Sequence, residues 1–189
     1  MKRQMLLLLL VLLAVMTAGC QEEATSTPAT TSAPAHTPTA EAAPAEVELV
    51  RVENKVMGLS VLVPEGWQVI APGVYARGES ATDLTTLIQQ AAPGTAAQDL
   101  ATSLQAQLGI DVLPEPAATL QAGAFEWTLY EITVDVPPTG AVNVDLAMAE
   151  TESASYLVML QAPAGAYPAL HEAVFLPALE GLTTPQGGE

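Results

Sequence analysis

Between Phe125 and Ala162 the chain has almost no room for anything but β-strands. FEWTLYEITVDV (125–136), VNVDLAMAE (142–150) and YLVMLQA (156–162) follow one another with only Pro137-Pro138-Thr139-Gly140 and Glu152-Ser153-Ala154-Ser155 between them. Proline, glycine and small polar residues at such joints favour tight turns. Three consecutive strands on short turns predict an antiparallel meander. In 142–150, Val142, Val144, Leu146 and Met148 alternate with Asn143 and Asp145, the period-2 pattern of a strand with one apolar and one polar face. In 125–136 the apolar set changes face near Tyr130, from Phe125, Trp127 and Leu129 to Ile132, Val134 and Val136, which a bulge or burial on both sides would produce. Tyr156 to Leu160 is apolar on both faces, as in a central strand covered by helices.

The same β-like texture marks 47–52, 59–64, 74–77 and 84–90. Two helical patterns interrupt it. Thr95-Ala96-Ala97-Gln98 fits a capping box, Leu100, Leu104 and Leu108 follow at four-residue spacing, and Gly109 ends the run. From Tyr167 to Leu182, Leu170, Val174, Ala178 and Leu182 form a stripe, with Pro168 suited to the first turn. Pro177 removes a hydrogen bond inside that stripe, so a kink or restart is expected there. The fold class predicted is α+β: a largely antiparallel sheet of about six strands with two helices packed on it. Residues 47–184 have the size of one domain with one core, and 185–189 form a short tail.

Upstream of that domain the chain changes character. Lys2 and Arg3 precede a charge-free apolar run, Met5 to Met16, of twelve residues, too short for a helix that needs about 20 to cross a hydrocarbon core. A basic start, a short apolar middle and small residues after it are the layout of a secretory signal. Thr17, Ala18 and Gly19 then lead directly into Cys20, the only cysteine. A catalytic thiol would need a basic partner to lower its pKa, and none is near in sequence except His36. Residues 21–46 contain eight Ala, six Thr, four Pro and two Ser and no large apolar side chain, so they predict a disordered tether. Its reach is roughly 30 Å as a coil and up to about 80 Å extended.

The Thr17-to-Cys20 junction resembles the bacterial lipobox, although Thr17 stands where that family usually has leucine. The resemblance implies that 1–19 is a lipoprotein signal peptide and that Cys20 becomes a lipidated N-terminus. It also implies a protein anchored on the extracytoplasmic face of a bacterial membrane. Two or more acyl chains are needed for stable anchoring, at about 0.8 kcal/mol per buried methylene. Val56-Met57-Gly58-Leu59-Ser60-Val61-Leu62-Val63-Pro64-Glu65-Gly66-Trp67 resembles the opening of PsbP-like domains, and ALHEAVFLPALEGL (169–182) is similar to the last helix of accessory domains in bacterial surface proteins, some joined to serine hydrolases. Those resemblances imply a sandwich fold, an antiparallel sheet with helices packed on it, and little about activity. In physical terms Pro64 ends a strand, Gly66 allows the turn and Trp67 plugs the sheet's end.

Charge narrows the partners. With 21 acidic residues against 5 basic ones the formal net charge is −16, and loss of 1–19 would leave only Arg51, Lys55 and Arg77 as cations. Nucleic acid and anionic lipid headgroups require basic patches, so neither is an expected partner. Nor do catalytic motifs emerge. Arg77-Gly78-Glu79-Ser80 lacks the second glycine of a nucleophile elbow. His171-Glu172 starts like a zinc-protease helix, but Phe175 occupies the second ligand position. A Ser–His–Asp site would have to recruit Ser60, Ser103 or Ser155 to His171 from far away in sequence, and His171 reads instead as a partly exposed helical residue. Asp135 to Asp145 lacks the alternating ligands of a calcium loop. No metal or cofactor is expected. The apolar face carrying Tyr167, Leu170, Val174, Phe175 and Leu179 is broader than a sheet alone requires, so Tyr167, Val174 and Phe175 are candidates for an interface with a protein partner or a small apolar ligand. The function this supports is a non-catalytic, membrane-anchored binding or assembly module; the alternatives are an extracytoplasmic hydrolase or an accessory domain to a separately encoded one.

Overall fold

The computed structural model describes residues 47–54, 58–78, 83–136 and 140–184. The expected signal peptide (1–19), Cys20, the expected tether (21–46), Lys55 and 185–189 all lie outside these residues. The described residues contain nine strands: β1 (Leu49–Asn54), β2 (Leu59–Pro64), β3 (Gln68–Ala71), β4 (Val74–Ala76), β5 (Thr86–Pro93), β6 (Ala118–Ala122), β7 (Phe125–Val136), β8 (Gly140–Glu150) and β9 (Ala154–Pro163). Helix α1 (Ala97–Leu108) lies between β5 and β6. The chain closes with α2 (Tyr167–Leu170), a π-helical turn (His171–Phe175) and α3 (Leu176–Gly181).

Strands β3 to β9 form one antiparallel sheet of seven in the order β3-β4-β5-β9-β8-β7-β6, while β1 and β2 pair as a separate ribbon. The expected meander is β7-β8-β9. The α+β class therefore stands, with one more strand in the sheet than expected. The sequence reading omitted β3 and β6. One is four residues long before Pro72, and the other is ATLQA, too short and too rich in alanine to show a period.

Both faces of the sheet are covered. On one, Leu146, Val144, Met148, Leu157, Met159 and Ile132 pack with Leu104 of α1. On the other, Trp127, Phe125, Ala147, Tyr156, Val158 and Leu160 pack with the C-terminal helical segment and with Leu59, Val61 and Val63 of β2. This settles the change of face in β7. Its register against β8 is unbroken from Thr128↔Met148 to Val136↔Gly140, so there is no bulge. Phe125 and Trp127 serve one core and Ile132 the other. The Trp127 indole N–H donates to the Ala122 carbonyl (3.1 Å), so burying this ring leaves no orphan donor.

Helix α1 begins one residue later than the capping box implied. Ala96 is its N-cap and no side chain caps it. The Ala97 N–H is instead directed to the Glu150 carboxylate of β8 (3.2 Å), and the Thr95 carbonyl accepts from the Ser155 hydroxyl (2.6 Å). Tertiary partners have replaced the local one. At the other end Gly109 adopts φ 68°, the left-handed conformation that stops the helix as expected.

The C-terminal stripe is fully used: Leu170, Val174, Ala178 and Leu182 are all buried. The expected disturbance at Pro177 takes the form of a π-helical turn immediately before it, where the Leu176 N–H bonds to the His171 carbonyl five residues back. A proline ring clashes with the carbonyl four residues earlier in an α-helix, and the wider turn makes room for it. The ribbon is held to this segment. Ser60 and Thr183 exchange backbone hydrogen bonds (2.8 and 2.9 Å), and the Arg51 guanidinium donates to the Gly181 carbonyl (2.9 Å) at the end of α3. Such a cation suits the negative end of a helix. No helix among the described residues is long and apolar enough to cross a membrane.

Candidate functional site

Period-2 alternation puts Asp145 on the polar side of β8, and for an uncovered sheet that side would face water. Here it lies beneath the C-terminal helical segment, and Asp145 is 1% exposed. An ionised carboxylate that deep requires hydrogen-bond donors. Two arrive from one helical surface. Tyr167 and His171 are four residues apart, so they lie one above the other on the same face. The Tyr167 hydroxyl donates to Asp145 Oδ1 (2.6 Å), and His171 Nδ1 meets Oδ2 (2.8 Å). The Tyr167 and His171 rings stand 5.9 Å apart, and the Phe175 ring lies 5.6 Å from the imidazole on its other side.

The network assigns the histidine tautomer. A carboxylate only accepts, so Nδ1 carries the proton, and Nε2 of a neutral ring keeps its lone pair. The His171 side chain is 24% exposed. Behind it, Glu131 faces Asp145 across the β7–β8 ladder. Burial, the hydrogen bond to Asp145, and the charges of Asp145 and Glu131 push the Tyr167 hydroxyl far above the usual tyrosine range. Tyr167 is therefore a firmly neutral donor at any ordinary pH.

Tyr167 also forms a ridge between two shallow depressions. One, of about 300 Å³, is lined by Glu131, Tyr167, Pro168, His171 and Glu172. The other, of about 210 Å³, is lined by Glu131, Ile132, Thr133, Asn143 and Tyr167. Chemically, the first offers a hydrogen-bond acceptor at His171 backed by a buried carboxylate, flanked by two acidic side chains and one face of an aromatic ring.

The residues singled out from sequence fare unevenly. His171 is partly exposed, as expected, but its partner Asp145 was read only as the polar half of an alternation. Val174 and Phe175 are 0% and 1% exposed and belong to the core under the helix, so they form no surface. The expected apolar interface through Tyr167, Val174 and Phe175 is thus corrected: the breadth of the apolar stripe is absorbed by the sheet and the β1–β2 ribbon together. Of the three, only Tyr167 reaches the outside. The serines do not gather at His171. Ser60 accepts from Arg51, Ser103 bonds to the Asp99 carbonyl within α1, and Ser155 bonds to Thr95. Among the described residues no group of three or more His, Cys, Asp and Glu is placed to hold a metal ion.

No protein-family model matches the chain, and no curated protein does. Solved structures with a similar course of chain include three at 14% identity. Cyanobacterial PsbP from Synechocystis sp. PCC 6803 has a TM-score of 0.48, with 77% of this chain and 97% of that one covered. A Bacteroides thetaiotaomicron protein also gives 0.48, over 70% of this chain, which spans only 47% of that longer chain. A protein of unknown function from Pseudomonas aeruginosa gives 0.41, over 76% and 100%.

Proposed function

We propose that this chain is a lipid-anchored, extracytoplasmic binding or assembly module. In this reading 1–19 is the signal peptide, Cys20 carries the lipid, 21–46 is the tether and 47–184 is the working domain. The observation that carries the binding role is the ridge at Tyr167. It holds a fixed hydrogen-bonding pair, Tyr167 and His171 on buried Asp145, at the rim of open depressions. An open rim suits recognition of a partner surface better than chemistry that needs water excluded. The Thr17–Cys20 junction supports the anchor. Substituting Cys20→Ser tests it: the unaltered chain incorporates an alkynyl fatty acid and sediments with membranes, and the variant does neither. Labelling that persists in the variant, or a native chain that stays unlabelled, would overturn the anchor.

A second reading is favoured by the Asp145–His171 pair itself. A buried carboxylate orienting an imidazole is the positioning half of many general-base sites. With none of the three candidate serines bonded to His171, that base would have to activate water or a hydroxyl of the substrate, giving an extracytoplasmic hydrolase. A screen against ester and glycoside substrates separates the two readings. Turnover that is lost in His171→Ala but retained in Glu172→Gln would replace the binding role with a catalytic one.

A further inference from the structure

The chain carries 21 acidic side chains, yet Gly66 to Ala76 contains no charged residue of either sign. This stretch forms the β3–β4 hairpin, which closes through Pro72 and Gly73 and makes one outer edge of the large sheet. Sheet edges are commonly guarded by charges; this one instead has a short strand, a register shift and Pro72. Every residue of β3 is exposed, with Val69 at 68% and Ile70 at 59%, and the register shifts between Val69 and Ala71. Two large aliphatic side chains, adjacent in sequence, are therefore exposed to water on an uncharged hairpin.

Its position relative to the tether gives those side chains an occupant. The described chain begins at Val47, and the Glu48 carbonyl accepts from the Glu65 N–H (2.8 Å). Glu65 is four residues before Val69, so the point where the tether joins the domain lies within about 20 Å of Val69 by chain length. Val47 and Trp67 pack on the same core cluster. With residues 21–46 as the expected coil of roughly 30 Å reach, a lipid at Cys20 would leave this corner within reach of the bilayer. Linkers of such length give effective concentrations in the millimolar range, so a contact of only millimolar intrinsic affinity becomes populated.

We infer that the β3–β4 hairpin is a second membrane contact, seating Val69 and Ile70 on the lipid bilayer surface when the domain is tethered. The inference rests on the anchor reading of Cys20. The absence of basic residues in the hairpin makes the contact apolar, suited to uncharged zwitterionic lipid.

The lipidated full-length chain in phosphatidylcholine vesicles with brominated acyl chains provides the test. Trp67 is half-buried beside the hairpin, whereas Trp127 is 0% exposed in the core, so contact quenching reports on Trp67. Emission is expected to fall against unbrominated vesicles and to recover in Val69→Glu and Ile70→Glu. Val112→Glu, at a residue more exposed than either but outside the hairpin, should leave the quenching unchanged. Lipidated protein without quenching would overturn the contact and leave the anchor standing. Absence of lipid on Cys20 would overturn both. A dimer in detergent that Ile70→Glu converts to monomer would assign the edge to a second copy and overturn the bilayer assignment.

Discussion

Asp145 is where a single side chain has the largest leverage on both stability and surface chemistry. It is buried, and each of its oxygens is met by one donor from the C-terminal segment. Tyr167→Phe deletes one of those donors and should cost about 1–2 kcal/mol in urea unfolding. The same residue governs alkaline behaviour. Its folded pKa is raised, so the stability it contributes is complete below the unfolded tyrosine value near 10 and is lost as pH rises beyond it. Tyr75, raised by burial, adds loss in the same direction. The melting temperature is expected to fall above about pH 10, and to fall less steeply in Tyr167→Phe. Asp145→Asn reports the other bond. With the Tyr167 hydroxyl still donating to the amide oxygen, the amide N–H would face Nδ1, so the imidazole proton should move to Nε2, visible in the ring ¹⁵N shifts; an Nε2–H tautomer already present in the unaltered chain would refute the assignment made from geometry.

Among the elements, the segment α2–π–α3 shows what a linear sequence does and does not disclose. The stripe Leu170, Val174, Ala178 and Leu182 was legible because its period matches a helix, and Pro177 announced a disturbance. The form of that disturbance was not legible, since a kink, a break and a π-turn all answer to the same missing N–H. Asp145 was invisible for a different reason. Alternation tells which residues share a face, but only the tertiary fold tells whether that face meets water or a helix. The misplaced start of α1 has the same origin: Thr95 had the right local chemistry, yet Glu150, 53 residues beyond Ala97, supplied the acceptor. Close packing between elements is equally non-local. A Cβ on Gly181 would come within 2.3 Å of Leu62 Cγ on β2. Gly181→Ala should therefore destabilise by about 1–3 kcal/mol through overpacking. Combining it with Leu62→Ala should cost less than the two changes added, because the second removes the atom that is struck.

For the whole molecule, charge is the dominant global quantity. At −16 the folded chain repels itself, and screening should relieve that. Raising sodium chloride from 10 to 300 mM is expected to increase the melting temperature; a decrease would mean that attractive pairs such as Arg77–Asp83 outweigh the net repulsion. The change near Val47 from a polar, proline-rich composition to periodic apolar residues is a property of the sequence itself. The layering of the domain was legible only in part, because an apolar strand such as Tyr156–Leu160 says that both faces are covered without saying by what.

The bond between Ser60 and Thr183 joins the second strand of the domain to nearly its last described residue. Arg51 reaches the same place at Gly181. The ribbon that starts the domain is thus fastened to the segment that closes it, as well as to the sheet, where the Gln89 side-chain amide donates to the Leu62 carbonyl (3.0 Å). The two ends of the described domain therefore loosen or hold together, although 130 residues of chain separate Arg51 from Gly181.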